Sequence, residues 1–161
     1  MNIEIASTRF SDDSLNQNQL YKSKNNITGV IYGSPLKIRD KYPENTILFV
    51  IEMNTDTNKI NGIGIIRNKI NFQIKKNIYS NYNWNRFIYT GNYWISRESL
   101  IENENDLLEK LEICLFKGKS HLKRLSGITI ITKKNYEKWE IDSNEFKRRI
   151  KNLFLQIHKK D

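Results

Sequence analysis

Two β-branched runs joined by a short polar turn constrain the fold of this chain more than any other feature. Residues 46–54 have the sequence TILFVIEMN, which predicts a buried central strand. The next four residues, TDTN, have turn chemistry, and INGIGIIRN follows at residues 60–68. The pattern predicts a β-hairpin, whose second strand contains Gly62 and Gly64. Glycine at these positions permits a bulge or the close approach of another backbone or a ligand.

The rest of the chain alternates between further strands and helices. Strands are predicted at residues 2–7, 27–32, 86–95 and 128–132, the third being one strand or a hairpin broken at residues 90–92. Helices are predicted at residues 14–22, 105–116 and 143–158, with Ser96 as an additional cap and one helical turn at residues 134–139. We therefore expect one domain over residues 1–161, of the α+β class, with a small, partly closed mixed β-barrel flanked by helices.

Composition excludes several kinds of site. The single cysteine, Cys114, excludes an internal disulfide framework, and two histidines make a His-ligated metal centre a poor hypothesis. We expect no metal and no cofactor. The first residues lack an apolar leader and no run of eighteen apolar residues occurs, so we expect no membrane association and an intracellular location, cytoplasmic or nuclear. The sequence leaves the oligomeric state open.

Cationic and aromatic side chains are concentrated in one part of the chain. No Asp or Glu occurs between Thr57 and Arg97, and residues 60–100 hold eight of the eighteen Phe, Trp and Tyr residues. A second basic run without acids covers residues 113–136. Because basic groups neutralise phosphates and aromatic faces stack on bases, the pattern predicts a nucleic-acid contact surface. The phosphate-binding candidates are Arg67, Lys75, Lys76, Arg86, Lys117, Lys119, His121, Lys123 and Arg124.

The order of these motifs resembles the PUA-like superfamily, which includes PUA, ASCH, EVE and YTH domains. The similarity covers residues 27–132: a strand ending in Gly33, Ser34 and Pro35, the central strand with its G-I-G partner, an aromatic loop and a late basic turn. The segments YTGNYWISRESL and LFKGKSHLKRLSGITII are similar to parts of small proteins of large A/T-rich DNA viruses.

This resemblance implies a pocket that binds a modified or flipped base of RNA or DNA. Such a pocket needs aromatic walls, polar groups that read the base edge, and cations for the flanking phosphates. Trp84, Tyr89 and Trp94 are the candidates for the walls, and Tyr32 and Ser34 for the polar groups. Asn83, Asn85 and Asn92 are further candidates for the base edge. The function that follows is a nucleic-acid-binding module.

Two alternatives stay open at this point. The ASCH branch of the superfamily includes hydrolases and ribonucleases, which implies a ribonuclease or amidohydrolase whose candidate groups are Lys37, Arg39, Glu52 and Thr90. The sequence shows no nucleophile and base pair with an orienting carboxylate, so we assign no catalytic residue and expect a binding module before an enzyme. The other alternative is a viral interaction protein whose basic lobe binds an acidic host partner.

Overall fold

The computed structural model of the chain describes residues 2–75 and 77–159. The strands in these ranges are β1 (Ile3–Phe10), β2 (Val30–Ser34), β3 (Ile47–Asn54), β4 (Lys59–Arg67), β5 (Phe87–Gly91), β6 (Trp94–Ser96) and β7 (Thr129–Ile130). The helices are α1 (Asp12–Lys24), α2 (Arg97–Phe116), α3 (Lys133–Trp139) and α4 (Ser143–His158), and a 3-10 turn covers Tyr82–Asn85. None of the helices in these two ranges is long and apolar enough to cross a membrane.

The main sheet has five strands in the order β6-β4-β3-β1-β7. β1 runs parallel to β3, and the other pairs are antiparallel. The predicted hairpin is present as β3 and β4, and its register shifts between Glu52 and Met53 because Asn61 is an extra residue on the opposite strand. Such a bulge increases the local twist and turns the neighbouring side chains.

The main sheet separates two hydrophobic cores. Successive residues of a strand point to opposite faces, and on β3 Phe49 and Ile51 pack against the helical layer of α2, α3 and α4. Leu48 and Val50 pack against the opposite layer, which contains α1 and a second sheet formed by β2 and β5. The α+β class predicted from the sequence is confirmed. The strands of the described ranges form two sheets, and no closed barrel is found among them.

Residues 86–95 contain neither a single strand nor a hairpin, so this prediction is wrong. β5 pairs with β2 in the small sheet, whereas β6 pairs with β4 in the main sheet. The backbone crosses from one sheet to the other at Gly91, where a Cβ atom would lie 1.7 Å from the carbonyl oxygen of Ile65. Glycine is required here because the two backbones are in contact.

α2 begins earlier than the apolar pattern predicts. The Ser96 side chain caps it as expected, accepting a hydrogen bond from the backbone N–H of Ser99 at 3.1 Å. Glu104 has non-helical backbone angles inside the helix (φ −141°, ψ 41°). At this kink the guanidinium of Arg149 on α4 binds the Glu104 carboxylate at 2.6 Å and that of Asp106 at 2.9 Å. Arg149 therefore joins two helices.

Two side chains of α2 bind backbone groups at the edge of β4. Arg97 and Glu112 form an ion pair at 2.6 Å. The Glu112 carboxylate accepts a hydrogen bond from the backbone N–H of Ile60 at 2.7 Å, and Arg97 donates to the Ile60 carbonyl at 2.8 Å. Both backbone groups of Ile60 are thus satisfied by side chains where β6 does not extend.

Candidate nucleic-acid interface

A cavity of about 250 Å³ lies where the end of β1, the start of α1 and residues 79–84 meet. We call it the Arg9 cavity. Polar and aromatic residues line it together: Thr8, Arg9, Phe10, Ser11, Asp13, Ser14, Gln17, Gly33, Thr55, Tyr79, Ser80, Asn81 and Trp84.

Arg9 is the cation of this cavity. Its guanidinium carbon lies 5.7 Å from the centroid of the Trp84 ring, which is the geometry of a cation–π contact. Its Nε is buried and has no hydrogen-bond partner within residues 2–75 and 77–159. No carboxylate of the described residues lies within 4.0 Å of its nitrogens. A buried N–H donor without a partner is costly, and a ligand with acceptor atoms would supply that partner.

Several polar residues of the cavity are already hydrogen-bonded within the protein. Ser11 and Ser14 bond each other in a capping box at the start of α1. The Gln17 amide donates to Ser80 Oγ at 3.1 Å and to Asp13 at 3.0 Å, and it accepts from the Ser80 backbone N–H at 2.9 Å. These bonds connect α1 to the segment that carries Trp84, so the cavity is preorganised.

Buried polar contacts fix the backbone just before Trp84. The Asn85 amide accepts from the backbone N–H of Tyr79 at 2.8 Å and donates to its carbonyl at 2.7 Å. The Tyr79 hydroxyl accepts from the amide of Asn18 at 2.8 Å. Burial raises the pKa of Tyr79. Asn85, predicted to read a base, has both amide groups engaged in holding this loop.

The structure does not bring the six predicted pocket residues into one cavity. Trp84 lines the Arg9 cavity, but Tyr32, Tyr89 and Ser34 lie in the interior. Tyr32 and Tyr89 face each other across β2 and β5 and belong to the core of that layer. The Tyr89 hydroxyl accepts from the backbone N–H of Ile38 at 2.9 Å, and Ser34 Oγ donates to the Leu36 carbonyl. Their burial follows from the sheet that they form.

Trp94, the sixth predicted residue, covers a buried carboxylate. Its ring lies over Gly62, is 36% exposed, and donates from Nε1 to Glu52 at 3.1 Å. Glu52 also accepts from Asn61 at 2.8 Å and from the Tyr32 hydroxyl at 2.5 Å. Burial, reinforced by the nearby Glu52 charge, raises the pKa of Tyr32 well above its ordinary value. Three donors thus hold Glu52, with no cation of the described residues within 4.0 Å.

The candidate groups of the enzyme alternative are dispersed. Lys37 and Arg39 lie on an exposed loop, where Lys37 pairs with Asp40 at 3.4 Å. Thr90 accepts a hydrogen bond from the amide of Asn71 at 3.1 Å. These contacts are distinct from the three donors that surround Glu52. The geometry therefore assembles no catalytic set from the four residues.

The predicted phosphate-binding residues fall into two groups along the chain, one before α2 and one after it. Arg67, Lys75 and Arg86 are exposed, with the Arg86 guanidinium carbon 5.6 Å from the centroid of the Phe87 ring. Lys76 lies outside the described residues. The second group follows α2, where Leu122 anchors the segment in the helical core. Its members are Lys117, Lys119 and Arg124, which are exposed, and His121 and Lys123, which are half-buried.

Several residues of the site were not predicted. Arg9, Gln17 and Tyr79 were not assigned to a pocket, and the sequence offered only one relevant signal, a cation at the end of a strand just before a helix cap. The structure also shows two exposed aromatic side chains, whose exposure the sequence does not reveal: Phe72 is 80% exposed and Tyr82 is 70% exposed. Exposed rings beside lysines and arginines are the surface on which unpaired bases stack.

Comparisons of the chain with protein-family models, with curated proteins and with solved structures find no match. The site is therefore interpreted from its own geometry. Among the residues that the structure describes, no group of three or more His, Cys, Asp and Glu is arranged to hold a metal ion.

Proposed function

We propose that the chain is a nucleic-acid-binding module that holds one unpaired base in the Arg9 cavity. The observation that carries this proposal is the half-buried Arg9, which lies against the Trp84 ring without a carboxylate partner among the described residues. An arginine fork donates to paired acceptors such as O6 and N7 of guanine, and an indole offers a face or edge for stacking.

The size of the cavity favours a small planar ligand. Pockets for drug-sized molecules usually have about 300 to 1,000 Å³, and the Arg9 cavity has about 250 Å³. A single base is of suitable size, whereas a base pair is not. A base reaches such a cavity only when it is single-stranded or flipped out of a helix.

The surrounding charge supports the same proposal. The formal net charge is +9, and residues 58–96 contain no acidic side chain. Lys75 and Arg86 in this stretch are exposed. Positive charge of this kind attracts the phosphate backbone and increases association rates at low salt.

Membership of the PUA-like superfamily, with a partly closed barrel, is part of this proposal. What supports it is the approach of the β2–β5 sheet to β4, where Gly91 contacts the carbonyl of Ile65. Two sheets that meet through backbone contact at one corner approximate a barrel that is open on its other side.

The test is a fluorescence-anisotropy titration with labelled single-stranded RNA and DNA at several salt concentrations. We expect binding that weakens with salt, and a loss of about 1–3 kcal/mol for Trp84→Ala because a stacking surface is removed. Arg9→Gln should weaken binding as well. The matched control is Arg148→Gln, since Arg148 is an exposed arginine on α4.

Melting temperatures of the three variants show whether each is folded before binding is compared. No binding of either nucleic acid at low salt would refute the proposal. Equal losses for Arg9→Gln and Arg148→Gln would also refute it, because net charge rather than the cavity would then be responsible.

A further inference from the structure

A second cavity, of about 390 Å³, adjoins the Arg9 cavity along α1. Gln17, in the middle of the helix, lines both cavities. The second cavity continues toward the C-terminal end of α1, with Tyr21 and Lys24 on the helix side and Lys75 on the facing segment. The hydrogen bonds between Gln17 and Ser80 mark the boundary between the two cavities. The cavities thus lie end to end along the helix, and we call the surface that carries both of them the α1 groove.

The charge changes along this groove. The first turn of α1 carries Asp12 and Asp13, and Asp13 lines the Arg9 cavity. The last turn carries Lys22 and Lys24. Lys24 and Lys75 are both exposed, and no carboxylate in residues 2–75 or 77–159 lies within 4.0 Å of either ammonium group. The Arg9 end thus combines a cation with the Asp13 carboxylate, whereas Lys24 and Lys75 line the other end, so phosphate is favoured at the lysine end.

The length of the groove limits how much nucleic acid it can hold. α1 has thirteen residues, which corresponds to about 20 Å at the rise of an α-helix. A stacked strand rises about 3.4 Å for each nucleotide, so about six nucleotides are the upper limit.

On the basis of the function proposed above, we propose that the α1 groove binds a short single strand of nucleic acid. One base occupies the Arg9 cavity, away from its own phosphate, and the neighbouring phosphates contact Lys24 and Lys75. The acidic side chain at the Arg9 end favours an uncharged base over a phosphate there. A duplex does not fit, because its bases are paired and cannot enter the cavity.

A length series of RNA and DNA oligonucleotides, from a mononucleotide to an octamer, tests this proposal. Affinity should rise with length to about six nucleotides and then remain constant. Lys24→Gln and Lys75→Gln should each make the slope of log K against log salt shallower by about 0.7 for the hexamer. Neither substitution should change mononucleotide binding. Lys151→Gln, at an exposed lysine of α4, is the matched control and should leave the slope unchanged.

The outcomes separate this proposal from the function on which it rests. Mononucleotide binding that depends on Arg9, with no gain from length, would overturn the groove and leave the proposed function intact. Tighter binding of a duplex than of a single strand of equal length would also overturn the groove. No binding of any nucleic acid would refute both. A preference for the RNA or the DNA series identifies the natural ligand.

Discussion

Two buried tyrosine hydroxyls have opposite environments. Tyr32 donates to Glu52 inside the layer formed by α1 and the small sheet. Tyr136 lies in the helical core with its ring edge toward Phe146, and its hydroxyl has no hydrogen-bond partner among the described residues. The first hydroxyl satisfies a buried carboxylate, whereas the second is an unpaired polar group in an apolar environment.

Removal of these hydroxyls should change stability in opposite directions. Tyr136→Phe should raise the free energy of unfolding by about 1 kcal/mol, because an unpaired buried hydroxyl is lost. Tyr32→Phe should lower it by about 1–3 kcal/mol, because Glu52 loses a donor. Urea denaturation at neutral pH measures both. A destabilised Tyr136→Phe variant would contradict the unpaired state of that hydroxyl.

Trp84 and Arg9 show what a sequence reveals about a binding site. An indole among polar neighbours is unusual, so Trp84 could be predicted as a ligand contact. Arg9 could not, because an arginine at the end of a strand normally reaches solvent. The fold places the distant Trp84 against its guanidinium, and its Nε is buried.

The connection between β5 and β6 at Gly91 likewise could not be predicted from the sequence. Threonine, glycine and asparagine at residues 90–92 have the composition of a turn, which led to the prediction of a hairpin. The structure requires glycine there because Gly91 contacts the carbonyl of Ile65 and lies beside Gly29. A contact with another strand cannot be inferred from local turn chemistry.

A methyl group at Gly91 should separate the two sheets. We expect Gly91→Ala to lower the free energy of unfolding by roughly 3 kcal/mol or more, since the backbones cannot keep their positions. Gly118→Ala is the comparison: Gly118 has φ of +81° and open space around it, so only the strain of a left-handed backbone applies, about 1 kcal/mol. Equal losses in chemical denaturation would disprove the close contact.

α2 was predicted in part. The Ser96 cap and the apolar face of residues 105–116 were visible in the sequence. The continuity between them was not, because residues 101–106 have little apolar periodicity. Arg149 of α4 binds both Glu104 and Asp106 at the kink. An interaction between α2 and α4 therefore stabilises residues 101–106.

For the molecule as a whole, the α+β class could be predicted and the pairing of strands could not. The periodicity of each segment identifies strands and helices, but β1 pairs in parallel with β3 and bypasses β2. No local sequence pattern specifies β3 as the partner of β1. The choice depends on which faces are buried once α1 and the small sheet cover one side of β3.

Both cores should make the protein sensitive to high pH. Burial raises the pKa of Tyr32, Tyr79 and Tyr89 in one core and of Tyr136 in the other. Above pH 10 these side chains ionise in the unfolded chain but remain protonated when folded. The unfolded state then binds fewer protons, so stability falls as pH rises, by up to about 1.4 kcal/mol per pH unit for each tyrosine.

Urea denaturation between pH 9 and pH 11 measures this dependence. Tyr136→Phe should make the decline less steep, whereas Tyr82→Phe, at an exposed tyrosine, should not. Equal slopes for the wild type and Tyr136→Phe would argue against a raised pKa for Tyr136.

The way in which α2 holds Ile60 has a consequence for self-association. Open strand edges allow another chain to add backbone hydrogen bonds, which is how β-rich sequences aggregate. The outer strands of the main sheet, β6 and β7, have only three and two residues, and Arg97 with Glu112 occupies the backbone groups of Ile60. The isoleucine-rich centre of the sheet is thus shielded from intermolecular strand addition. Loss of this ion pair would leave the backbone N–H and carbonyl of Ile60 open to a strand of another chain.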